Sequence, residues 1–393
     1  MKLQLTKDKT IDVKMPWEKS GGGVPGGRKA GLSDVVGVSL FDGDPRGCPA
    51  VRLVRRKGGV QLVAAGFVQS PAVSLPSSWE ESKIQPVWEL PAVYQAPQAA
   101  LAVTSQGMFV RQTTIDALTA APAAPAAAEK KKKLGVRRGG EEKKAEAAKP
   151  AAAAPQPFVP VSRDGSRFVT APMGDEAFVL QTGLPEFQVL WLSRLLPEGR
   201  RPTACSLQTC PAALLNSIFR QPAFEADGGT AVAVLVTRTA VYFAGYRKGD
   251  LVLFRECPDV AGFDVMRELV KSGLGVGDDI VDSILEDTLI DPRPALEPLV
   301  RPVLQQLQLS IDYLAQRHDV HVDKMFLMGL PAGAMYWNQF AQETIGRPFV
   351  SPGVFEGIVP PKSAGVVPDM KPNETQAFLA ALGAALAAME VQG

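Results

Sequence analysis

Two β-rich segments lie far apart in the chain, and predicted helices follow each of them. The first covers residues 35–68 and turns at Lys57-Gly58-Gly59; the second covers 230–256 and turns at 245–249. Glycines in such turns permit positive φ, so each segment is expected to fold back on itself as antiparallel strands. The repetition predicts an α/β chain of two halves, each opened by antiparallel strands and covered by helices. It disfavours a parallel β/α barrel and an all-helical array.

Apolar residues recur at helical spacing outside the two β-rich segments. In the first of these stretches, Phe187, Leu190, Trp191 and Leu195 form one apolar stripe, which indicates that Trp191 belongs to the core. The predicted helices cover residues 186–196, 211–219, 263–271, 278–287, 295–317, 334–345 and 374–389.

The composition changes sharply at residues 119–157, which are almost entirely Ala, Pro, Lys and Glu. Such a tract cannot bury enough apolar surface to offset the entropy of ordering, so we predict a disordered insertion. It divides the first half into 34–118 and 158–228, and the second half then covers 229–393. Residues 1–33 are polar and glycine-rich and are predicted to form a flexible arm.

The insertion carries clusters of positive charge. Solvation of a linker is the simplest explanation. Contact with an anionic lipid surface is a sharper one, because clustered basic residues each add about 1 kcal/mol to such binding. Nucleic-acid binding ranks third, since no aromatic residues are interleaved to stack on bases. The residues that would make the anionic-surface contact are Lys130, Lys131, Lys132, Lys133, Arg137 and Arg138.

The composition argues against several other protein classes. Lys+Arg 42 against Asp+Glu 41 gives a net charge of +1, so no global field favours nucleic acid. The polar start predicts no signal peptide, and the apolar run 377–389 is shorter than the ~20 residues of a membrane helix. With 4 cysteines and 2 histidines, neither a disulfide scaffold nor a histidine-rich metal enzyme is expected. These features predict a soluble cytoplasmic protein.

No motif in the sequence predicts catalysis. The pairs Cys205-x4-Cys210 and His318-x2-His321 lie in different predicted elements, so we predict no metal site. The glycines of 273–277 lack the G-x-G-x-x-G spacing and follow a predicted helix, which favours a turn over a phosphate loop. A Walker A lysine motif and a G-x-S-x-G elbow are both absent from the sequence.

Several ordered segments resemble the PilM family, which comprises actin-like proteins of the type IV pilus inner-membrane platform related to FtsA and GspL. The resemblance covers roughly 35–118 and 158–390. It rests on these segments: 36–39 (VGVS), 51–54 (VRLV), 58–62 (GGVQL), 198–212 (EGRRPTACSLQTCPA), 249–256 (GDLVLFRE), 307–313 (LQLSIDY) and 322–329 (VDKMFLMG). It implies a two-lobed actin-like (ribonuclease-H-like) fold with a nucleotide cleft between the halves.

The residues that align with the family's nucleotide positions are degenerate. The first-strand aspartate of the family falls on Ser39, and its second-half Asp-x-Gly falls on Leu235 and Thr237. Polar positions of the long helix fall on Gln306 and Leu309, and the glycine pair after the last strand becomes Gly329-Leu330. Without a carboxylate to hold Mg²⁺, and with a side chain where the base would lie, ATP hydrolysis is expected to be absent.

The resemblance implies a non-catalytic scaffold without a cofactor, located in the cytoplasm and peripheral to the inner membrane. Its implied partner is a PilN-like single-span membrane protein, whose cytoplasmic N-terminal tail would bind the first half as an extended segment. A GspL-like secretion component would differ in the host system but not in chemistry. The alternative class is an actin-like ATPase with displaced motifs, in which Asp42 and Asp44 supply the metal ligands.

Overall fold

The fold is described here from a computed structural model of the 393-residue chain. The described residues are 2–6, 9–12, 33–41, 46–57, 59–72, 74–84, 88–105, 107–119, 161–175, 177–196, 202–218, 229–257, 260, 262–286, 291–319, 321–329, 334–350, 352–355, 358–360 and 376–390. Nearly all of the insertion at 119–157 therefore lies outside them. Within the predicted N-terminal arm, β1 (Lys2–Thr6) and β2 (Lys9–Asp12) pair as an antiparallel hairpin.

The first half is built on a five-stranded sheet with the order β11-β6-β3-β4-β5. Three strands run antiparallel in succession, and β6 and β11 then add parallel to β3 on its other side. The strands are β3 (Asp34–Leu40), β4 (Cys48–Arg56), β5 (Gly59–Val68), β6 (Gln98–Val103) and β11 (Thr203–Thr209).

The second half repeats this topology in a four-stranded sheet with the order β14-β13-β12-β15. Three strands again run antiparallel in succession, and the fourth lies parallel to the first. The strands are β12 (Thr230–Val236), β13 (Val241–Arg247), β14 (Asp250–Glu256) and β15 (Lys324–Gly329). The two halves predicted from the β-rich segments are thus present, each opened by antiparallel strands.

A small antiparallel sheet is inserted into the first half between β6 and β11, with the order β7-β10-β9-β8. Its strands are β7 (Phe109–Thr114), β8 (Val161–Arg163), β9 (Ser166–Pro172) and β10 (Phe178–Pro185). Strands β6 and β7 are consecutive in the chain and are separated only by residues 104–108. In the structure these strands belong to different sheets, so the chain leaves the first sheet at this point.

Helices cover the sheets. In chain order they are α1 (Ile115–Thr119), α2 (Glu186–Ser193), α3 (Cys210–Ile218), α4 (Phe263–Leu274), α5 (Asp278–Glu286), α6 (Arg293–His318), α7 (Ala334–Ile345) and α8 (Leu379–Glu390). The helices α4, α6 and α7 share a core cluster with one face of the second-half sheet, whereas α2 packs on one face of the first-half sheet.

The last helix, α8, packs on α3 and on strands β3, β4 and β6 of the first half. The sequence analysis placed this stretch within residues 229–393 of the second half, because it follows the second-half elements in the chain. The alternation of side chains on β3 makes room for α8. Val36, Val38 and Leu40 face the cluster on the α2 side of the sheet, and Gly37 faces α8 on the other side. A Cβ atom on Gly37 would overlap the carbonyl oxygen of Ala381, so the helix backbone lies directly on the strand.

Residues 230–244 contribute to two strands, whereas the sequence predicted no turn in this β-rich segment before 245–249. It reverses at Thr237–Ala240, where the Thr237 amide donates to the Ala240 carbonyl at 3.0 Å. Gly245, predicted to begin a turn, lies inside β13, where a Cβ would press against Leu314 of α6. This glycine therefore serves close helix packing and not chain reversal.

Candidate functional site

The candidate site is the cleft between the two halves, where the carboxyl ends of β3 and β12 face one another. Its walls come from three groups of elements: the ends of β3 and β6, the ends of β12 and β15, and the N-terminal regions of α3 and α8. The lining residues are Ser39, Thr104, Cys210, Leu214, Val236, Thr237, Arg238, Gly329, Gln376, Ala377 and Ala380. The structure thus brings together Ser39, Thr237 and Gly329, three positions that the sequence analysis singled out.

The polar groups of the second-half wall already bind each other. The Thr237 hydroxyl donates to the Ala240 carbonyl at 2.8 Å and accepts from the Ala240 amide at 3.2 Å. Arg238 forms a two-pronged ion pair with Asp264, with Nε–Oδ2 and Nη2–Oδ1 distances of 2.8 and 2.7 Å. Such paired geometry holds the Arg238 guanidinium in place. Neither Thr237 nor Arg238 is therefore directed at a ligand.

The N-terminus of α4 is also occupied by this loop. The amides of Phe263 and Asp264 donate to the carbonyls of Thr237 and Arg238 at 2.9 and 3.2 Å. Free amides at a helix N-terminus are the usual cradle for phosphate. Because these two amides are already bonded, this helix end does not offer that cradle.

The first-half wall carries hydroxyls where the resemblance implies a carboxylate. Ser39 is 1% exposed on the last part of β3, and Thr104 follows β6 beside it. A serine carries no charge to anchor Mg²⁺, which prefers carboxylate and phosphate oxygens. Among the described residues there is no group of three or more His, Cys, Asp or Glu side chains that could hold a metal ion.

Other predicted positions lie away from the cleft or outside the described residues. Leu235 is fully buried in a core cluster to which both halves contribute, and it is not among the residues that line the cavity. Gln306 accepts hydrogen bonds from Arg255, and Leu309 projects from α6 with 57% of its surface exposed. Residues outside the described part of the chain are Asp42, Leu330, Lys130, Lys131, Lys132, Lys133, Arg137 and Arg138.

The cavity that the described residues line in the cleft is small. Its volume is about 20 Å³, room for roughly one water molecule. Small-molecule sites typically measure ~300–1,000 Å³. On the α8 side the cavity is lined by Gln376, Ala377 and Ala380. On the α3 side Leu214 approaches Gly329. The cavity that these described residues line is therefore too small to hold a nucleotide.

Sequence reasoning missed the wall contributed by α3 and α8. Cys210 and Leu214 lie in the apolar helix α3, and Ala380 lies in α8, where ten of the twelve residues are buried. The available signal was the lack of a polar face on the last helix, because a helix that is apolar all round must be buried on all sides.

Below the cleft, burial raises the pKa of Tyr242, with smaller contributions from Glu256 and Cys210, so its phenol stays neutral.

Within the described part of the chain, every helix is too short or too polar to span a bilayer.

Comparison with known proteins identifies similar folds but no family. No protein-family model matches the sequence, and no curated protein matches it. A chain of a PilM-PilN type IV pilus biogenesis complex superposes with a TM-score of 0.59 at 13% identity, covering 91% of this chain and 98% of that chain. A Bacteroides thetaiotaomicron protein of unknown function with an actin-like ATPase fold gives a TM-score of 0.38 at 10% identity, covering 81% and 90% of the two chains.

The likeness to the chain from the PilM-PilN complex extends over nearly the whole of both proteins, and at 13% identity it bears on the fold alone. The repeated topology of the two sheets and the cleft between them agree with that likeness. The chain has the two-lobed actin-like α/β fold that the sequence resemblance implied.

Proposed function

We propose that this protein is a non-catalytic scaffold of a type IV pilus or related secretion platform. In this role it binds the cytoplasmic N-terminal tail of a PilN-like single-span membrane protein and is held at the inner membrane through that partner. The observation that carries the proposal is the small cavity in the cleft, whose second-half polar side chains, Thr237 and Arg238, are already bonded to Ala240 and Asp264. The fold likeness to a chain of a PilM-PilN complex supports the choice of partner.

The first half offers a backbone edge that suits an extended tail. In the five-stranded sheet, β5 has Val359 on its outer edge, whereas β11 has no backbone partner on its outer edge among the described residues. An unpaired strand edge presents a row of N–H and C=O groups to which an added strand can bond. We therefore place the tail along β11, where Ser206, Leu207 and Gln208 are half-buried.

The first test is direct binding of the tail. A synthetic peptide with the N-terminal sequence of the candidate partner should bind the full chain at micromolar concentration or below in calorimetry. A scrambled peptide of the same composition is the control. If the native and scrambled peptides bind equally, or neither binds, the scaffold proposal fails.

Two proline variants locate the binding edge. Adjacent residues of a strand direct their N–H groups to opposite sides, so of Ser206 and Leu207 one faces β6 and the other faces outward. Ser206→Pro and Leu207→Pro should therefore differ, one losing stability and the other remaining folded. We expect the folded variant to bind the tail at least about tenfold more weakly, since strand addition depends on outward-facing backbone groups. Unchanged affinity in that variant would exclude β11 as the site.

Nucleotide binding distinguishes the scaffold from the ATPase alternative. A ligand at about 100 times its Kd stabilises a protein by ~2.7 kcal/mol, which a thermal melt detects readily. We expect no shift in melting temperature with millimolar Mg-ATP and no phosphate release above background. An upward shift accompanied by phosphate release, both lost in Asp42→Asn or Asp44→Asn, would instead establish an ATPase with its metal ligands in the displaced acidic loop.

A further inference from the structure

Val350 and Val359, nine residues apart in the chain, are bonded to different sheets. Val350 forms a parallel bridge with Phe326 on the outer edge of β15, and its amide donates to the Met325 carbonyl at 2.7 Å. This contact extends the second-half sheet by a single residue beyond its last strand. The segment 350–359 is therefore fixed to the second half at its beginning.

The other end of the segment is fixed to the first half. Val359 forms a parallel bridge with Gln61 on the outer edge of β5. Its carbonyl accepts from the Leu62 amide at 2.9 Å, and its amide donates to the Val60 carbonyl at 3.0 Å. Two backbone hydrogen bonds thus join this end to the edge strand of the first-half sheet.

Apolar contacts hold the middle of the segment. Val354 is buried in the core cluster that also contains Phe378, just before α8. The ring of Phe355 lies 6.3 Å from that of Phe378, which in turn lies 5.0 Å from the ring of Phe67 on β5. Phe355 therefore packs towards the first half, and Val354 is buried in a cluster to which both halves contribute.

The opposite edge of the second-half sheet is also tied to the first half. The Gly174 amide donates to the Leu251 carbonyl on β14 at 2.8 Å, and the Phe254 amide donates to Oε1 of Gln112 at 2.8 Å. Arg317 pairs with Asp175 at 3.1 Å. The pKa of Asp175 is lowered, first by the Ala177 amide and then by Arg317, so this carboxylate is charged at neutral pH.

We infer that residues 350–359 are a strap that, together with the contacts at β14, fixes the two halves at one angle. One outer edge of the second-half sheet is held through the strap, and the other is held by hydrogen bonds at β14. Opening the cleft therefore requires hydrogen bonds to break on at least one side. The hydrogen bonds at the two ends of the strap are coupled. When Val350 is released from β15, a longer stretch of chain connects Val359 to the second half, and the effective concentration of Val359 at β5 falls. The two halves thus move as one rigid body.

Hydrogen exchange tests the coupling between the two ends. Val350→Pro removes the amide that bonds to Met325, whereas Val350→Ala keeps it and is the matched control. We expect Val350→Pro to accelerate exchange of the Leu62 amide, in the other half, by at least about tenfold. Exchange at Leu62 equal to that of the alanine control would overturn the inference. Val359→Pro and Val359→Ala give the reciprocal test, read at the Phe326 and Val350 region of the second half.

A distance measurement tests the fixed angle. Spin labels on Lys57→Cys, in the β4–β5 turn, and Gln305→Cys, exposed on α6, report the separation of the halves. The background carries Cys205→Ser, and Cys48, Cys210 and Cys257 are buried. We expect one narrow distance distribution in the parent protein and the alanine controls, and a broader one in each proline variant. The double proline variant should be no broader than the single ones. Distributions that stay narrow in the proline variants would overturn the strap, and either variant alone decides if the other fails to fold.

Discussion

Gly383→Ala in α8 is expected to lower the free energy of unfolding by about 3 kcal/mol or more. A Cβ atom at this position would overlap the carbonyl oxygen of Ala213 in α3 and crowd the Ser217 amide. These are backbone atoms of a buried helix, so no side chain can rotate away to make room. The helices must separate, and Gly37 on β3, whose own Cβ position meets Ala381, leaves α8 no space to retreat.

The measurement is urea denaturation followed by tryptophan fluorescence. Trp191 and Trp337 are fully buried, one in each half, so loss of either half changes the signal. The matched control is Gly273→Ala, another helical glycine, whose added Cβ would lie at an ordinary 3.4 Å from Ala295. There the gain in helix propensity should stabilise the protein by ~0.5–1 kcal/mol. Equal effects of the two changes would contradict the close packing of α8.

The sequence predicted the halves because their signals are local. The antiparallel strands of each half are contiguous in the chain and carry β-branched residues and glycine turns, for example at Lys57-Gly58-Gly59. The return of α8 to the first half could not be predicted in the same way. It depends on small residues that match across large sequence separations, such as Gly383 with Ala213, and no periodicity encodes such a pairing.

The candidate cleft was predicted in part. Ser39, Thr237 and Gly329 line it because each lies at or just beyond the carboxyl end of a strand that points to the same edge. Leu235 lies two residues before Thr237, deeper along β12, and is buried in the cluster that also contains Leu214 and Ala380. The ion pair of Arg238 with Asp264 joins residues from separate elements and carries no sequence signal.

Gly329→Ala should destabilise the protein by about 3–5 kcal/mol, combining backbone strain with overlap. Gly329 has φ 91°, and a Cβ atom there would overlap the carbonyl oxygen of Val236 at the end of β12. Both atoms belong to the cleft wall of the second half. In an actin-like cleft a glycine at this position would be expected to make room for a nucleotide base, whereas here it lets two strand ends approach each other.

Gly249→Ala separates the two contributions. Gly249 has φ 90°, nearly the same as Gly329, but no atom lies within 4 Å of a Cβ built on it. Its replacement should therefore cost only the strain of an L-residue at positive φ, about 1–3 kcal/mol. The excess for Gly329→Ala in urea denaturation measures the strand contact. If the two variants lose equal stability, the contact at Val236 contributes nothing, and Gly329 would again be available for a ligand. If Gly329→Ala loses more, that glycine is required by the packing of the strand ends at the cleft wall.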